Sequence, residues 1–96
     1  MTTRVCIADD HPLFGLALEG LVRALPAQFA VERVQDVTSL HKRIGSEDPI
    51  DLLLLDLHMP GAVGFSTLNW VRGQRASLPV IIVSANTHPE TVRRAL

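Results

Sequence analysis

Apolar residues in this chain form short continuous runs that alternate with longer segments of helical spacing. Residues 4–8, 52–55 and 80–83 are continuous and mainly aliphatic, whereas residues 29–34 mix apolar and charged positions. Continuous runs of this length are typical of strands that are buried on both faces of a sheet. We therefore predict four strands at these positions, with residues 29–34 nearer an edge of the sheet.

The segment between the first two strands predicts an amphipathic helix over residues 13–25, closed by Pro26. Its apolar positions recur at helical spacing, and we expect them to face the sheet. They are Leu13, Leu16, Ala17, Gly20, Leu21 and Ala24, with Phe14, Leu18 and Leu25 widening the stripe.

Three further helices are predicted. A short one follows the capping residues 36–39 and ends at Gly45, and another covers residues 65–74. A fourth begins at residues 87–90, which have the spacing of a capping box. The third helix is expected to bury Phe65, Leu68 and Val71, with Trp70 more lateral.

Strands that alternate with helices at this spacing predict a parallel sheet with helices on both faces. At 96 residues the chain is long enough for one such domain, residues 1–96. Hydrophobic residues make up 47% of the chain and aromatic residues only 4%, which favours an aliphatic core over a base-stacking surface. The net charge of −1 makes direct binding of nucleic acid by this segment improbable.

The single cysteine, Cys6, lies in an apolar run and is interpreted as a small buried hydrophobe. One cysteine allows no disulfide within the chain, and no run has the length of a membrane span. The acidic pair that follows the first strand also leaves no room for a secretory leader. A cytoplasmic location is therefore expected.

Polar side chains follow three of the predicted strands where each strand ends: Asp9 and Asp10, then Asp56, then Ser84. The carboxyl ends of parallel strands meet at one edge of a sheet, so we expect these groups to converge. Carboxylates close to one another raise one another's pKa unless a cation compensates them, and oxygen donors with room for water are the ligands that Mg²⁺ prefers. Taken singly, each residue also has a purely structural interpretation, as a helix cap, a solvated strand end or a turn.

The four histidines do not form a cluster with the spacing of a zinc site. We assign no role to His11, His41 or His88. His58 differs by position, because its backbone carbonyl, two residues after Asp56, is within reach of a metal bound there.

These residues together resemble the receiver domain of two-component response regulators. The resemblance rests on Asp-Asp-His-Pro-Leu-Phe at residues 9–14, Asp-Leu-His-Met-Pro-Gly at residues 56–61 and Ser-Ala at residues 84–85. It is nearest to the NarL-type subfamily, whose members usually carry a C-terminal LuxR-type helix-turn-helix output domain. It implies a flavodoxin-like, doubly wound α/β fold with strand order 2-1-3-4, followed in the family by a fifth strand.

The resemblance implies a phospho-accepting signalling domain and not an enzyme in the ordinary sense. Asp56 matches the phosphoacceptor, which receives its phosphoryl group from a sensor histidine kinase. Asp10 matches the direct Mg²⁺ ligand, Asp9 its water-mediated partner, and the His58 carbonyl a third protein ligand. Ser84 matches the switch hydroxyl, which follows the added phosphoryl charge and shifts the region near the fourth helix. DNA would be contacted only through an output domain.

The C-terminal end departs from the family pattern. The family has a lysine on its fifth strand, whereas the only lysine here, Lys42, falls on the predicted second helix. We expect residues 1–96 to end before the fifth strand and helix, which leaves residues 80–83 as an exposed apolar edge. Such an edge favours self-association, including exchange of the C-terminal element.

Two other functions remain open. A magnesium-dependent phosphohydrolase with an aspartyl-phosphate intermediate typically needs an acid/base aspartate two residues after its nucleophile, where this chain has His58. An interaction module that works without phosphorylation is the other alternative, because the family lysine is missing.

Overall fold

The computed structural model describes residues 2–83. All four predicted strands and the first three predicted helices are confirmed, and the predicted fourth helix lies outside the described residues. In chain order the elements are β1 (Thr3–Ala8), α1 (Pro12–Arg23), β2 (Phe29–Val34), α2 (Val37–Ile44), β3 (Leu52–Asp56), α3 (Ser66–Gln74) and β4 (Val80–Val83). Within this range, none of the helices has the length and apolar character needed to cross a membrane.

The four strands form one parallel sheet in the order β2-β1-β3-β4. This confirms the flavodoxin-like order 2-1-3-4. Each of the first three strands is followed by a segment that returns the chain to the same end of the sheet, so the four parallel strands have their carboxyl ends on one edge.

The core has two layers because side chains alternate across each strand. Cys6 and Leu53 point to the layer that contains α2 and α3, whereas Ile7 and Leu54 point to the layer that contains α1. These four side chains are between 0% and 6% exposed. Full burial of an aliphatic side chain stabilises a fold by about 1.5–3 kcal/mol, which explains why the strands are continuously apolar.

The predicted face of α1 is wrong for its central stripe, whereas Leu18, one of the residues predicted to widen the stripe, does pack on the sheet. Leu13 is 82% exposed and Leu21 is 67% exposed, whereas Gly15 is buried and Leu18 and Val22 pack on the sheet. Since α1 carries apolar residues on nearly every side, their spacing does not select a face. Gly15 lies on the buried face, where a Cβ would be 3.0 Å from a guanidinium nitrogen of Arg33 on β2, so a larger residue there would require the Arg33 side chain to shift.

The predicted caps of α2 are confirmed. The carboxylate of Asp36 accepts a hydrogen bond from the backbone N–H of Ser39 at 2.7 Å, and Gly45 is the C-cap. This hydrogen bond holds the pKa of Asp36 below its ordinary value. The short helix therefore begins and ends where the sequence predicts.

The turn after β3 is fixed by glycine and by contact with α2. Gly61 has a φ of +88°, a conformation that other residues rarely adopt, and a Cβ there would lie 3.3 Å from the Cβ of Val37. Val37 also donates its backbone N–H to the carbonyl of Pro60 at 3.2 Å. This turn leads the chain away from Asp56 and toward α3.

The third helix is confirmed, but three of its residues differ in burial from the prediction. Val71 is buried as predicted, but Phe65 and Leu68 are only partly buried. Thr67, which apolar periodicity did not select, is 3% exposed.

Candidate functional site

The carboxyl ends of β1 and β3 bring the predicted acidic residues together. Ala8 lies opposite Leu55 in the register of these neighbouring strands. Asp9 follows Ala8 and Asp56 follows Leu55, so both carboxylates occur one position beyond paired residues. Asp9, Asp10, His11 and Asp56 each offer one donor atom within 4.8 Å of the others. We call these four residues the edge cluster.

Two of these carboxylates are removed from solvent. Asp56 is 0% exposed and Asp9 is 4% exposed, while the side chain of Asp10 retains 30% of its exposure. Burial is the largest cause that raises the pKa of Asp56, and the nearby Asp9 and Asp10 charges raise it further. A hydrogen bond from the backbone of His58 offsets part of this effect on the Asp56 pKa.

Each buried carboxylate is held by a backbone amide two residues further along the chain. His58 donates its N–H to Asp56 Oδ1 at 2.9 Å, and His11 donates its N–H to Asp9 Oδ1 at 2.8 Å. Such turns are a common way for aspartate to organise its own backbone. They orient both side chains and occupy one oxygen of each.

The remaining oxygens of the edge cluster are unsatisfied. Asp9 Oδ2, Asp10 Oδ1 and Asp56 Oδ2 are buried and have no hydrogen-bond partner among the described residues. Burying an uncompensated anionic oxygen is costly, so this arrangement fits a bound cation. Three converging carboxylates with one partly exposed side suit Mg²⁺, which binds oxygen donors and keeps several waters. The acidic cluster is thus compatible with magnesium binding.

His11 is a member of the edge cluster that sequence reasoning missed. Its Nδ1 lies 3.0 Å from Asp9 Oδ1, 3.1 Å from Asp10 Oδ1 and 3.6 Å from Asp56 Oδ2. The hydrogen bond to Asp9 is the largest cause that raises the pKa of His11. The available signal was its position directly after the acidic pair and before Pro12, which begins α1.

The other predicted site residues have different outcomes. Ser84 lies outside the described residues, so its role stays a prediction. The structure gives a role to the His58 amide, whereas metal binding by its carbonyl stays a prediction. His41, to which no role was assigned, stacks its ring on that of Trp70, and the two ring centroids are 3.8 Å apart.

Cys6 is the buried hydrophobe that the sequence predicts. It is 0% exposed, and burial raises its pKa to about 12. A thiol in this state is not a nucleophile at neutral pH. Asp56 is therefore a better candidate than Cys6 for nucleophilic chemistry.

A second concave region does not compete with the edge cluster. A cavity of about 230 Å³ lies near Asp51, at the amino-terminal edge of the sheet. Its guanidinium groups are already engaged, since Arg43 bonds to Glu32 and Arg75 donates to the carbonyl of Ile44 at 3.0 Å. The cavity therefore has less unsatisfied binding capacity than the carboxyl edge.

Comparison with known proteins gives a consistent result. The family model described as "Response regulator receiver domain" matches residues 5–96. The Glycerol metabolism activator of Pseudomonas putida is 37% identical over 94 residues, covering 97% of this chain and 42% of that protein. The "Probable transcriptional regulatory protein NarL" of Mycobacterium tuberculosis H37Rv is 38% identical over 96 residues, covering 97% of this chain and 43% of that protein.

Solved structures show the same fold. The non-phosphorylated receiver domain of RcsB from Escherichia coli has a TM-score of 0.81 at 24% identity, covering 97% of this chain and 72% of that one. The phosphorylated cyanobacterial phytochrome response regulator RcpA also has a TM-score of 0.81, at 17% identity, covering 99% of this chain and 74% of that one.

The chain spans less than half the length of the two bacterial relatives described above, 42% and 43%. The match to the family model nevertheless extends over nearly all of the chain, from residue 5 to residue 96. The sheet order and the convergence of the acidic residues agree with that match. This chain belongs to the response regulator receiver domain family of two-component signalling proteins and is similar to its NarL-type members.

Proposed function

We propose that this chain is a phospho-accepting receiver domain in which Asp56 takes a phosphoryl group from a phosphohistidine of a sensor kinase. The observation that carries the proposal is the burial of the Asp56 carboxylate together with its unsatisfied oxygen. It is fully buried beside Asp9 and Asp10, yet its Oδ2 has no hydrogen-bond partner among residues 2–83. A side chain held in this costly state at a sheet edge is typical of a functional group.

The residues of the edge cluster have separate tasks in this proposal. Asp56 attacks phosphorus, its oxygen forms the new O–P bond, and the P–N bond of the phosphohistidine breaks as the leaving imidazole takes a proton. The His58 amide orients the attacking carboxylate. Asp10, Asp9 through a water, Asp56 and the His58 carbonyl would hold Mg²⁺. When bound, that ion would supply neutralisation of the carboxylates and of the transferring phosphoryl oxygens.

Further parts of the proposal follow from the family. Ser84 is the proposed switch hydroxyl, which would bond the new phosphoryl oxygens and bias the nearby segment toward another packing. The output would be a DNA-binding domain elsewhere in a longer protein. This is supported by the length of the curated relatives and by an RcsB structure from Salmonella that is bound to promoter DNA. A cytoplasmic location stays a prediction.

The test is phosphorylation by a small acyl phosphate in the presence of Mg²⁺, followed by intact mass measurement. We expect one phosphoryl group on the wild-type chain and none when the ion is chelated. Asp56→Asn should abolish the adduct. Asp51→Asn is a matched control at the other end of the same strand, where the Asp51 carboxylate accepts the backbone N–H of Arg4, and it should retain the adduct. An adduct in Asp56→Asn, or none in any form, would contradict the proposal.

Two alternatives have distinct outcomes in the same experiment. Release of many equivalents of phosphate would favour a phosphohydrolase, for which the amide-donating His58 occupies the usual place of an acid/base aspartate. Failure of the wild-type chain to form an adduct would favour an interaction module that works without phosphorylation. The observation behind this second alternative is that the only lysine, Lys42, is exposed on α2.

Self-association through β4 is a further part of the proposal. Within the described residues β4 pairs only with β3, and its Ile81 is 51% exposed. An apolar strand with one unpaired edge is a template for pairing with a second chain. Size-exclusion chromatography over a range of concentrations tests this directly. A monomer at high concentration would contradict it.

A further inference from the structure

His11 is the side chain of the edge cluster that the proposed phosphoryl transfer leaves without a task. It follows the acidic pair directly and is the N-cap residue of α1, but its side chain makes no capping hydrogen bond. The imidazole instead turns toward the carboxylates, although half of its side-chain surface stays exposed. Its position is therefore set by the acidic residues and not by the helix.

The donor atoms around Nδ1 have the separations of neighbouring ligands in one metal shell. Two adjacent corners of an octahedron with bonds of about 2.1 Å are about 3.0 Å apart. Nδ1 lies 3.0 Å from Asp9 Oδ1 and 3.1 Å from Asp10 Oδ1. Its distance of 3.6 Å to Asp56 Oδ2 is slightly longer. Nδ1 thus has one carboxylate oxygen of each aspartate within 3.6 Å, and among these Asp9 Oδ1 is already hydrogen-bonded to His11.

A second observation points to a ligand beside Nδ1. The side chain of Asp56 is 1% exposed, and its Oδ2 faces Nδ1 without reaching hydrogen-bond distance. Asp10 Oδ1 lies within ion-pair distance of Nδ1, yet it too has no aligned hydrogen bond among the described residues. The imidazole therefore does not satisfy these two oxygens, and an ion bound between them and Nδ1 would.

We infer that His11 Nδ1 is an additional protein donor of the divalent-cation site and shifts its selectivity from Mg²⁺ toward Mn²⁺, Ni²⁺ and Zn²⁺. Imidazole nitrogen is a good ligand for these ions, whereas Mg²⁺ favours oxygen donors and gives up its waters reluctantly. The inference rests on the proposed function only in that both use the same cation site.

The expected change in metal affinity can be set from the loss of one donor, the imidazole of His11. Altering a residue that supports a metal site typically changes affinity by about 10–100-fold. We expect removal of the imidazole to weaken Ni²⁺ binding by roughly tenfold and to leave Mg²⁺ binding nearly unchanged. The Ni²⁺/Mg²⁺ affinity ratio would therefore fall by roughly tenfold, which is a change of about 1.4 kcal/mol.

Pulsed EPR of bound Mn²⁺ tests ligation without any phosphorylation. The probe is Mn²⁺ alone, added to the wild-type chain at mildly alkaline pH to limit proton competition for Nδ1. We expect nuclear modulation from one directly bound nitrogen, and this modulation should change to the ¹⁵N pattern when only histidine is ¹⁵N-labelled. This readout uses the wild-type chain, so it does not depend on whether a variant folds.

Variants then assign the nitrogen. His11→Gln should remove the modulation and lower the Ni²⁺/Mg²⁺ affinity ratio. His41→Gln is the matched control, because that ring stacks on Trp70 and is not part of the edge cluster, and it should change neither.

Each contrary result overturns the inference in a recognisable way. Mn²⁺ binding without histidine modulation would mean that the carboxylates hold the ion alone, and the proposed phosphoryl transfer would be unaffected. Tighter Mg²⁺ binding in His11→Gln without modulation in the wild type would make His11 a competitor of the ion. No Mn²⁺ binding at all would remove the cation site and with it the proposed magnesium role.

Discussion

Leu55 and Asp56 are neighbours at the end of β3, and both side chains are completely buried. Leu55 packs within the layer that contains α2 and α3. Asp56 occupies the next position of the same rigid strand, but one of its oxygens has no partner among the described residues. The buried leucines of β3 therefore stabilise the fold, whereas the buried carboxylate at the carboxyl end of the strand destabilises it. The proposed chemistry takes place at that end.

The same contrast separates the body of the sheet from its carboxyl edge. In the body, the apolar residues of β1 and β3 satisfy their backbone groups by pairing and their side chains by packing. At the edge, three carboxylates share a small volume with His11. Proteins commonly hold such unfavourable groups where a ligand or reaction will compensate them.

The largest expected effect lies in the body of the sheet. Leu55→Ala removes a fully buried side chain and should lower the free energy of unfolding by about 3 kcal/mol, as a large-to-small change in a core does. Urea denaturation measures this change. Leu16→Ala is the control, because Leu16 is 56% exposed on α1, and it should change stability by about 0.5 kcal/mol or less. Equal effects at both positions would contradict the described burial.

At the carboxyl edge, a substitution is expected to raise the free energy of unfolding instead of lowering it. Asp56→Asn removes a buried charge and should raise the free energy of unfolding at neutral pH, without divalent ions, by about 1–2 kcal/mol. Because the pKa of Asp56 is raised in the fold, its penalty is absent below the ordinary carboxyl pKa. The penalty grows as the pH rises through the interval between the ordinary and the raised pKa values.

The gain from Asp56→Asn should therefore disappear in acid. Urea denaturation of the wild-type and variant chains over a pH series measures this. Asp51→Asn, at the exposed amino-terminal end of the strand, serves as the control for loss of a negative charge. A destabilised Asp56→Asn at neutral pH would mean that the carboxylate is stabilising as it stands.

Binding of Mg²⁺ should compensate the buried carboxylates at the carboxyl edge and so stabilise the folded chain. A ligand that binds only the folded chain, at ten times its dissociation constant, stabilises it by about 1.4 kcal/mol. Thermal unfolding should show this gain for the wild type and for Asp51→Asn, but not for Asp9→Asn or Asp56→Asn. A sodium salt of matched ionic strength controls for screening. Stabilisation of all variants alike would assign the effect to general electrostatics.

The sequence predicted the elements well where one physical rule decides them. The bounds of β2 and β4 match the predicted runs, because continuous or β-rich apolar segments between turn residues have few alternatives. The bounds of α2 follow from Asp36 and Gly45, which cap it in the structure. The convergence of the acidic residues followed from parallel topology, which places strand ends on one edge.

Other features depend on tertiary contacts that the sequence does not encode locally. The central stripe of α1 was predicted wrongly because the helix is apolar on nearly every side, so the spacing alone does not identify the face that packs on the sheet. His11 was missed because its contact with Asp56 depends on the register between β1 and β3. Thr67 is buried although it is polar, so an apolar pattern could not identify it.

The most direct test of the central claim locates the phosphoryl group on the chain. After reaction with an acyl phosphate and Mg²⁺, borohydride reduces an aspartyl phosphate to homoserine, and peptide mass spectrometry identifies the altered position. The account predicts homoserine at position 56 alone, dependent on Mg²⁺. Homoserine at position 9 or 10, or none at position 56, would contradict it.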